Sequence, residues 1–388
     1  MRVLHVIPSV APRYGGPSYA VAGYCRALAA RGIDPVIATT NADGDGVLPV
    51  PTGRATDYQG LETWFFPRHG EAFKYSPMLA RWLRACVHEF DLVHIHAVFS
   101  HSSVAAGRAC RARRVPYIVR PLGSLDPWSL SRQAWKKRLL MSSAVGTLLG
   151  RAAGMHYTTE DERRLAQGVA GSAPSKVIPL GVDDALLAAE VVPAPARQTR
   201  VLALCRFHPK KQLELLIQSF HDVTRAPGLA GWTLVIAGSG DAAYAEKLKQ
   251  LAQKGPAAAR ITFHAWVEGE AKAKLLRESA LFAAPSHQEN FGLGALEALA
   301  CGVPVILTPG VNIATEVAEA SAGWLADATA DGLGDVLRRA MLDQADRVRR
   351  SANARQFAQG YSWDRAAMAL SQWYSDIIFA ASPATEGC

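Results

Sequence analysis

Long apolar runs are missing from this chain of 388 residues. Nothing approaches the ~18 consecutive apolar residues that a bilayer-spanning helix needs. The opening "MRVLHVIPSVAP" is stopped at Pro8 and carries no cleavage pattern, so it reads as a first buried strand and not as a leader. A cytoplasmic protein is the expectation. Cysteine is scarce: six residues (Cys25, Cys86, Cys110, Cys205, Cys301 and Cys388), none in a C-x-x-C pair. That excludes a zinc ribbon or a disulfide scaffold and leaves reduced core thiols. Disorder is expected only in the tail "SPATEGC". An acidic surplus is also absent. Residues 1–185 hold 22 Lys+Arg against 14 Asp+Glu, and residues 186–388 hold 20 against 20, so the whole net charge of +8 sits in the first half. A basic half points to an anionic partner: a membrane surface, nucleic acid or a phosphorylated substrate.

What is present is enough apolar residue (49%) for large cores, in a chain long enough for two domains. In the first half, "RVLHVIPS", "DPVIATT", "DLVHIHA", "PYIVRP", "GMHYTT" and "KVIPLG" read as strands. "SYAVAGYCRALAARG", "MLARWLRACVHEF" and "SSVAAGRACRARR" read as helices between them. Such alternation implies parallel β-α-β units, because parallel strands need crossovers. "AAEVVPAPARQT" (188–199) has no period and reads as a linker. The alternation then restarts at "RVLALCRF" and runs through "WTLVIAGSG", "ITFHAWV", "LFAAPS" and "PVILT", before a helical tail from Leu333 to about Ala381. The expected fold is α/β, two Rossmann-like domains facing across a cleft. The domains span 1–187 and 200–365, joined by 188–199, with 366–388 crossing back to the first.

The chemistry concentrates in "PSHQENFGLGALEALACGVPVI". Glu289 follows a strand's carboxyl end, where open α/β sheets bind ligands, and Glu297 lies eight residues on in a helix. Gly292 and Gly294 permit close backbone approach. The helix start offers N–H groups and a positive dipole end to a phosphate. An acid there repels a bare phosphate, so Glu289 should face sugar hydroxyls, and Glu297 could accept from a ribose. The plainer alternative makes Glu289 an acid near a helix cap and Glu297 a solvated helix residue. "LALCRFHPKKQLELL" adds Arg206, Lys210 and Lys211 after another strand, where three cations suit a diphosphate; an exposed basic turn is the alternative.

Together, "ENFGLGALE" with "ALACGVPVI", the basic "RFHPKK" turn, "HVIPSVAPRYGGPSYAV", "HIHAVFS" and "IPLGVD" resemble family 4 of the retaining nucleotide-sugar glycosyltransferases, with the GT-B fold. The resemblance covers most of the chain. It implies that Arg206 and Lys211 bind the donor diphosphate, Glu289 faces the donor sugar and Glu297 holds the ribose. Backbone at Asn290, Phe291 and Gly292 would cradle sugar and phosphate, Gly15 and Gly16 would let the first loop close over the diphosphate, and Glu316 would lie on the nucleotide side. Relatives place a histidine where "RPLGSLDP" has Leu122, which leaves His96 and His101 as candidates for a catalytic histidine. Leu180 stands where relatives often have Asn, and Gln212 where Gly is common. Retention is expected by same-face displacement, with the leaving phosphate helping to deprotonate the acceptor. The resemblance also implies no cofactor and no metal.

Other signals carry less. "DGD" (43–45) fits a Gly-rich turn better than a metal motif. "GSGDAA" lacks the third glycine of a dinucleotide loop. His94, His96 and His101 have no cysteine or carboxylate to complete a metal site. The segment 131–154, "SRQAWKKRLLMSSAVGTLLGRAAG", is basic and amphipathic. It fits a helix lying on anionic lipid and equally a helix packed on the sheet. Its aromatic residues do not interleave with the cations, which disfavours nucleic acid. The expected function is transfer of a sugar from a nucleotide-sugar to a saccharide acceptor, lipid-linked, in cell-surface polysaccharide or glycolipid biosynthesis. The expected location is the cytoplasm or the inner face of the cytoplasmic membrane. A sugar-nucleotide epimerase and a catalytically silent sugar-nucleotide-binding partner are the alternatives.

Overall fold

The computed structural model describes residues 1–70 and 72–381; the tail 382–388, for which disorder was expected, lies outside them. The chain divides into two compact units, Met1–Gly181 with the chain from Trp363 onward, and Val182–Ser362.

In unit 1 the strands are β1 (Arg2–Ser9), β2 (Asp34–Thr40), β3 (Ala42–Asp43), β4 (Gly46–Val47), β5 (Ala55–Tyr58), β6 (Leu61–Phe66), β7 (Leu92–His96), β8 (Tyr117–Arg120), β9 (Gly154–Tyr157) and β10 (Ser175–Val177). Its helices are α1 (Gly16–Ala30), α2 (Pro77–Cys86), α3 (His101–Arg113), α4 (Pro127–Ser131), α5 (Ala134–Met141), α6 (Ala144–Gly150) and α7 (Glu160–Leu165). The sheet order is β10-β9-β8-β7-β1-β2-β6-β5, parallel except for β5 on the edge. The β5–β6 pair has no counterpart in the strand pattern read from sequence. Its alternation is short and its exposed edge strand carries no apolar face. "DGD" forms the turn of the small β3–β4 hairpin, where Arg68 donates to the Gly44, Asp45 and Gly46 carbonyls.

Unit 2 holds β11 (Gln198–Leu204), β12 (Thr233–Ala237), β13 (Ile261–His264), β14 (Ser279–Ala284), β15 (Val305–Leu307) and β16 (Gly323–Leu325). Its helices are α8 (Asp184–Ala188), α9 (Leu213–Val223), α10 (Ala242–Gln253), α11 (Gly269–Glu278), α12 (Leu293–Ala300), α13 (Ala314–Glu319), α14 (Ala330–Leu342) and α15 (Gln344–Ala358). The sheet is wholly parallel, in the order β13-β12-β11-β14-β15-β16. Strands covered by helices on both faces must be apolar throughout, which is why "VLAL", "TLVIA" and "ALFAA" run almost without a polar residue. The order reverses between β11 and β14. At such a switch point the two neighbouring crossovers leave in opposite directions and open a crevice at the carboxyl ends.

The segment 188–199 is not a free linker. It belongs to unit 2, where the buried Arg197 donates to the carbonyls of Val192 (3.0 Å), Gly302 (2.7 Å) and Cys301 (3.1 Å). Arg355 ties the end of α8 down in the same way. Both contacts are long-range and leave no periodic trace in the sequence.

The last helix, α16 (Trp363–Ala381), is part of unit 1. Its tryptophans fill places where only glycine leaves room. A Cβ on Gly23 would stand 2.4 Å from the Trp363 ring, and one on Gly154 would stand 2.5 Å from the Trp373 ring. Beneath the helix, one face of the sheet presents His5, His94, His96, Arg120 and His156, all essentially fully buried. Hydrogen bonding determines how two of these imidazoles hold their protons. The Ile178 carbonyl can only accept, so His156 Nε2–H donates to it (2.8 Å). The His156 Nδ1 must then accept, so His94 Nε2–H donates to it (3.2 Å). That leaves His94 Nδ1 to accept from the Tyr374 hydroxyl of α16 (2.7 Å). A second pair, His5 Nδ1 and His96 Nε2, meets at 3.1 Å.

Burial, with Arg120 next, pushes His5 down to about 3, and the same two causes act on His156, which also falls to about 3. His94 and His96 also lie well below their ordinary range, first through burial. All four are therefore neutral when folded and take up protons near pH 6.5 when unfolded. Their contribution is fully present above about pH 6.5 and is lost as pH falls, at roughly 5 kcal/mol per pH unit for four protons. Melting temperature measured from pH 7 to pH 5 should fall steeply, and His156→Gln should flatten the dependence by about one proton. A parent profile flat over that range would show that the imidazoles charge in place.

Candidate functional site

The carboxyl ends of β11 and β14 carry the residues singled out by sequence. After β14 the chain runs from Pro285 to Gly292 as a stitched loop. His287 N–H donates to the Lys210 carbonyl (2.8 Å), and Glu289 N–H to the Gly310 carbonyl (2.7 Å). Asn312 N–H returns a bond to the Glu289 carbonyl (3.1 Å), and Thr308 Oγ1 donates to the Ser286 carbonyl (2.7 Å). The loop is thus held on one side by the turn after β11 and on the other by the loop after β15. Gly292, at φ +92, turns the chain into α12 as its N-cap. Glu289 lies three residues ahead of that cap. The first amides of α12 have no carbonyl a turn earlier to bond, and they open beside Gly292. A small cavity of about 40 Å³ here is lined by Lys211, Ser286, Glu289, Gly292 and Gly294 among others.

The turn after β11 supplies the cations. Pro209–Lys211 is a single 3-10 turn, ended by Gln212 at φ +49. Glycine carries no penalty in that conformation, whereas a side chain costs roughly 1 kcal/mol there. Lys211 is ion-paired with Glu289. Burial, with Lys210 and Arg206 beside it, pushes the Lys211 amine down to about 8. Lys210 reaches Gln288 Oε1 at 3.4 Å. Arg206 is half-buried, which lowers its pKa, and among the described residues it makes no hydrogen bond or ion pair. A partly desolvated guanidinium without an acid is poised for an external anion.

Glu297 lies on the second turn of α12. It is not a solvated helix residue: its side chain is 4% exposed and ion-paired with Lys272 of α11 at 2.7 Å. Burial raises its pKa, the Lys272 charge and hydrogen bond pull it down, and Asp183 raises it again. Asn290 sits in the loop between Glu289 and Phe291. The Phe291 ring is buried against Tyr361 (6.0 Å), so only its backbone faces the loop. Glu316, in the first turn of α13, acts on the Tyr361 hydroxyl, which burial chiefly pushes up to about 12.

The remaining candidates lie in unit 1. Gly15, at φ +67, turns the chain from β1 into α1, where positive φ requires glycine. A Cβ at Gly16 would meet nothing within 4 Å, so its lack of a side chain leaves open space. His96 is not presented to a ligand. It is fully buried, bonded to His5 and stacked on His94 (4.2 Å). Strand alternation placed it correctly on the sheet, but α16 covers that face. His101 opens α3 and accepts from the Ser76 amide (3.2 Å). His5, His94 and His96 bring ring nitrogens within 4.8 Å of one another, yet the buried Arg120 guanidinium beside them opposes a divalent cation.

The segment 131–154 is broken at Gln133 (φ +53) and Ser143 into α4, α5 and α6. α6 buries Val145, Leu148 and Leu149, whereas α5 buries no residue fully and only rests Leu140 and Met141 against the core. Trp135 (70% exposed) and Leu139 (64%) share one face of α5, flanked by the exposed Lys136 and Arg138. Lys137 turns inward, to the Ser129 carbonyl and the Phe99 ring.

Sequence reasoning missed Lys272 and Gly310. Lys272 has no periodic link to Glu297, 25 residues away. Gly310 had a signal, a glycine just past a strand in "ILTPGVN". A Cβ there would lie 2.3 Å from the His287 carbonyl oxygen and 2.4 Å from that of Ser286. Gly310→Ala should therefore lower the stability of unit 2 by about 1–3 kcal/mol, as overpacking against backbone does. Urea unfolding checks this, and an unchanged midpoint would mean that the loop yields freely.

The chain matches two family descriptions, "Glycosyl transferase 4-like domain" over residues 15–181 and "Glycosyl transferases group 1" over residues 188–357. It is 28% identical over 380 residues to D-inositol 3-phosphate glycosyltransferases of Mycobacterium tuberculosis and Mycobacterium bovis, covering 90% of this chain and 76% of theirs. Among solved structures it is similar to sucrose-phosphate synthase of Thermosynechococcus elongatus (TM-score 0.78, 22% identity, 98% of this chain and 100% of that one). It is also similar to Anabaena HepE in complex with UDP and glucose (TM-score 0.77, 19% identity, 97% and 100%). A third is WaaG, a glycosyltransferase involved in lipopolysaccharide biosynthesis (TM-score 0.72, 17% identity, 99% and 100%).

Proposed function

As this chain belongs to the family 4 glycosyltransferases of GT-B fold, we propose that it moves a sugar, with retention, from a nucleotide-sugar donor to a saccharide acceptor. The observation that carries this reading is the half-buried Arg206, without an acid partner, beside Lys210, Lys211 and the start of α12 at the switch point of the unit 2 sheet. Breaking a sugar–diphosphate bond develops negative charge on the leaving phosphate. Fixed cations and helix amides stabilise that charge without reorganising. Arg206 and Lys211 bind the diphosphate. Glu289 faces the donor sugar, held in place by its pairing with Lys211. Glu297 accepts from the ribose, and Glu316 lies on the nucleotide side. Asn290, Phe291 and Gly292 cradle sugar and phosphate through their backbone. With three cations for the diphosphate, the reaction needs no metal.

The HepE complexes with UDP and UDP-glucose make a uridine donor the first to try. The acceptor is lipid-linked, and the protein works at an anionic membrane face. The exposed Trp135–Leu139 pair of α5 with Lys136 and Arg138 supports this, since each surface cation contributes ~1 kcal/mol on anionic lipid. Among the described residues no helix is long and apolar enough to cross a membrane.

Melting should be screened against UDP, GDP, ADP, CDP and dTDP without metal. One diphosphate should raise the transition, and Arg206→Ala should weaken its binding by about 1.5–3 kcal/mol. No shift with any diphosphate would remove the donor site. Diphosphate affinity should fall as pH rises through about 8, where Lys211 loses its proton, and Lys211→Met should abolish that limb. A limb retained in Lys211→Met would assign it to another group. Replacing Trp135, Lys136, Arg138 and Leu139 with alanine should cut co-sedimentation with anionic vesicles several-fold. Equal co-sedimentation would end the membrane reading.

A further inference from the structure

Two glutamates of the candidate site are each paired with a lysine, Glu289 with Lys211 and Glu297 with Lys272. Lys272 belongs to none of the motifs. We infer that Lys272 is a positioning residue of the donor site: it keeps the buried Glu297 carboxylate charged and turned so that one oxygen remains for a ribose hydroxyl. This rests on the donor-site reading above and deepens it.

The geometry carries the inference. Lys272 Nζ bonds Glu297 Oε1 at 2.7 Å, while Oε2 makes no hydrogen bond among the described residues. A carboxylate this deeply buried needs a partner to stay charged. The other groups around it do not provide one. Asp183, ahead of α8, is a second acid, and Cys301, the C-cap of α12, is a thiol held in its neutral form chiefly by burial. The nearby guanidinium groups face Cys301 and are engaged elsewhere. Arg277 pairs with Glu270, and Arg197 and Arg355 bond backbone carbonyls. Lys272 thus stands as the cation in contact with Glu297. It also sits four residues into α11, towards the positive end of that helix, where a cation is disfavoured. Helix stability does not account for it, and the ion pair does.

Removing Lys272 leaves burial and Asp183 acting alone on Glu297, and both favour the protonated acid. The carboxylate then exists only at higher pH, and ribose recognition is lost as pH falls. Calorimetric binding of UDP and GDP, each against its 2′-deoxy form, at pH 6, 7 and 8 tests this. The parent should prefer the ribonucleotide by about tenfold, the scale of one charge-assisted hydrogen bond, with little change across that range. In Lys272→Met the preference should weaken as pH falls from 8 to 6. Lys272→Arg should restore the parent profile. Glu297→Gln, a near-isosteric change, should lack the preference at every pH. A Lys272→Met protein with the parent's preference and a flat profile would overturn the inference. So would a parent that binds the diphosphates through Arg206 without preferring ribose, and in that case the donor site would stand. A parent that binds no diphosphate would remove both.

Discussion

The ion pair between Lys211 and Glu289 is the contact on which the candidate site depends. It joins the turn after β11 to the loop after β14, across the one place where the unit 2 sheet reverses its order. The backbone bonds from His287 to Lys210, and between Glu289 and the loop after β15, hold the same three segments together. Neither partner could be buried alone without a large desolvation penalty. The pair therefore fixes two charges of opposite sign a few ångströms apart in a water-poor crevice. A sugar diphosphate has the complementary pattern, anionic at one end and hydroxylated at the other.

Unit 1 solves a different problem by the same rule. Its sheet face under α16 is polar, with four histidines and an arginine where a parallel sheet ordinarily places aliphatic residues. The chain of donors from Tyr374 through His94 and His156 to the Ile178 carbonyl works only with neutral imidazoles. One added proton would set a donor against a donor. The last helix is thus held to the unit by packing on Gly23 and Gly154 and by a network that tolerates a single protonation pattern.

Much of this was legible in the sequence where it depended on neighbours along the chain. The β-α alternation, the turn at "RFHPKK" and the helix start at Gly292 all rest on local periodicity or on glycine and proline at turns. What the sequence left open involved the tertiary surroundings of each segment. "AAEVVPAPARQT" has the composition of a linker, but Arg197 bonds residues more than a hundred positions away. The basic 131–154 segment has helical periodicity, but two breaks divide it into a part that is buried in the core and a part that is only partly covered. His96 lies on the strand as expected and is covered by a helix that begins 267 residues later.

The sequence by itself determined the fold class and the residue types at the candidate site. Parallel strands require crossovers, and a strand-to-helix turn brings glycine, acid and cations to the carboxyl edge. Only the tertiary structure decided which of those charges meet. It paired Glu289 with Lys211 and Glu297 with Lys272, left Arg206 without an acid, and withdrew His96 into a buried layer. A charge's partner and its exposure depend on distances through space, and those are fixed only when separate strands and helices pack.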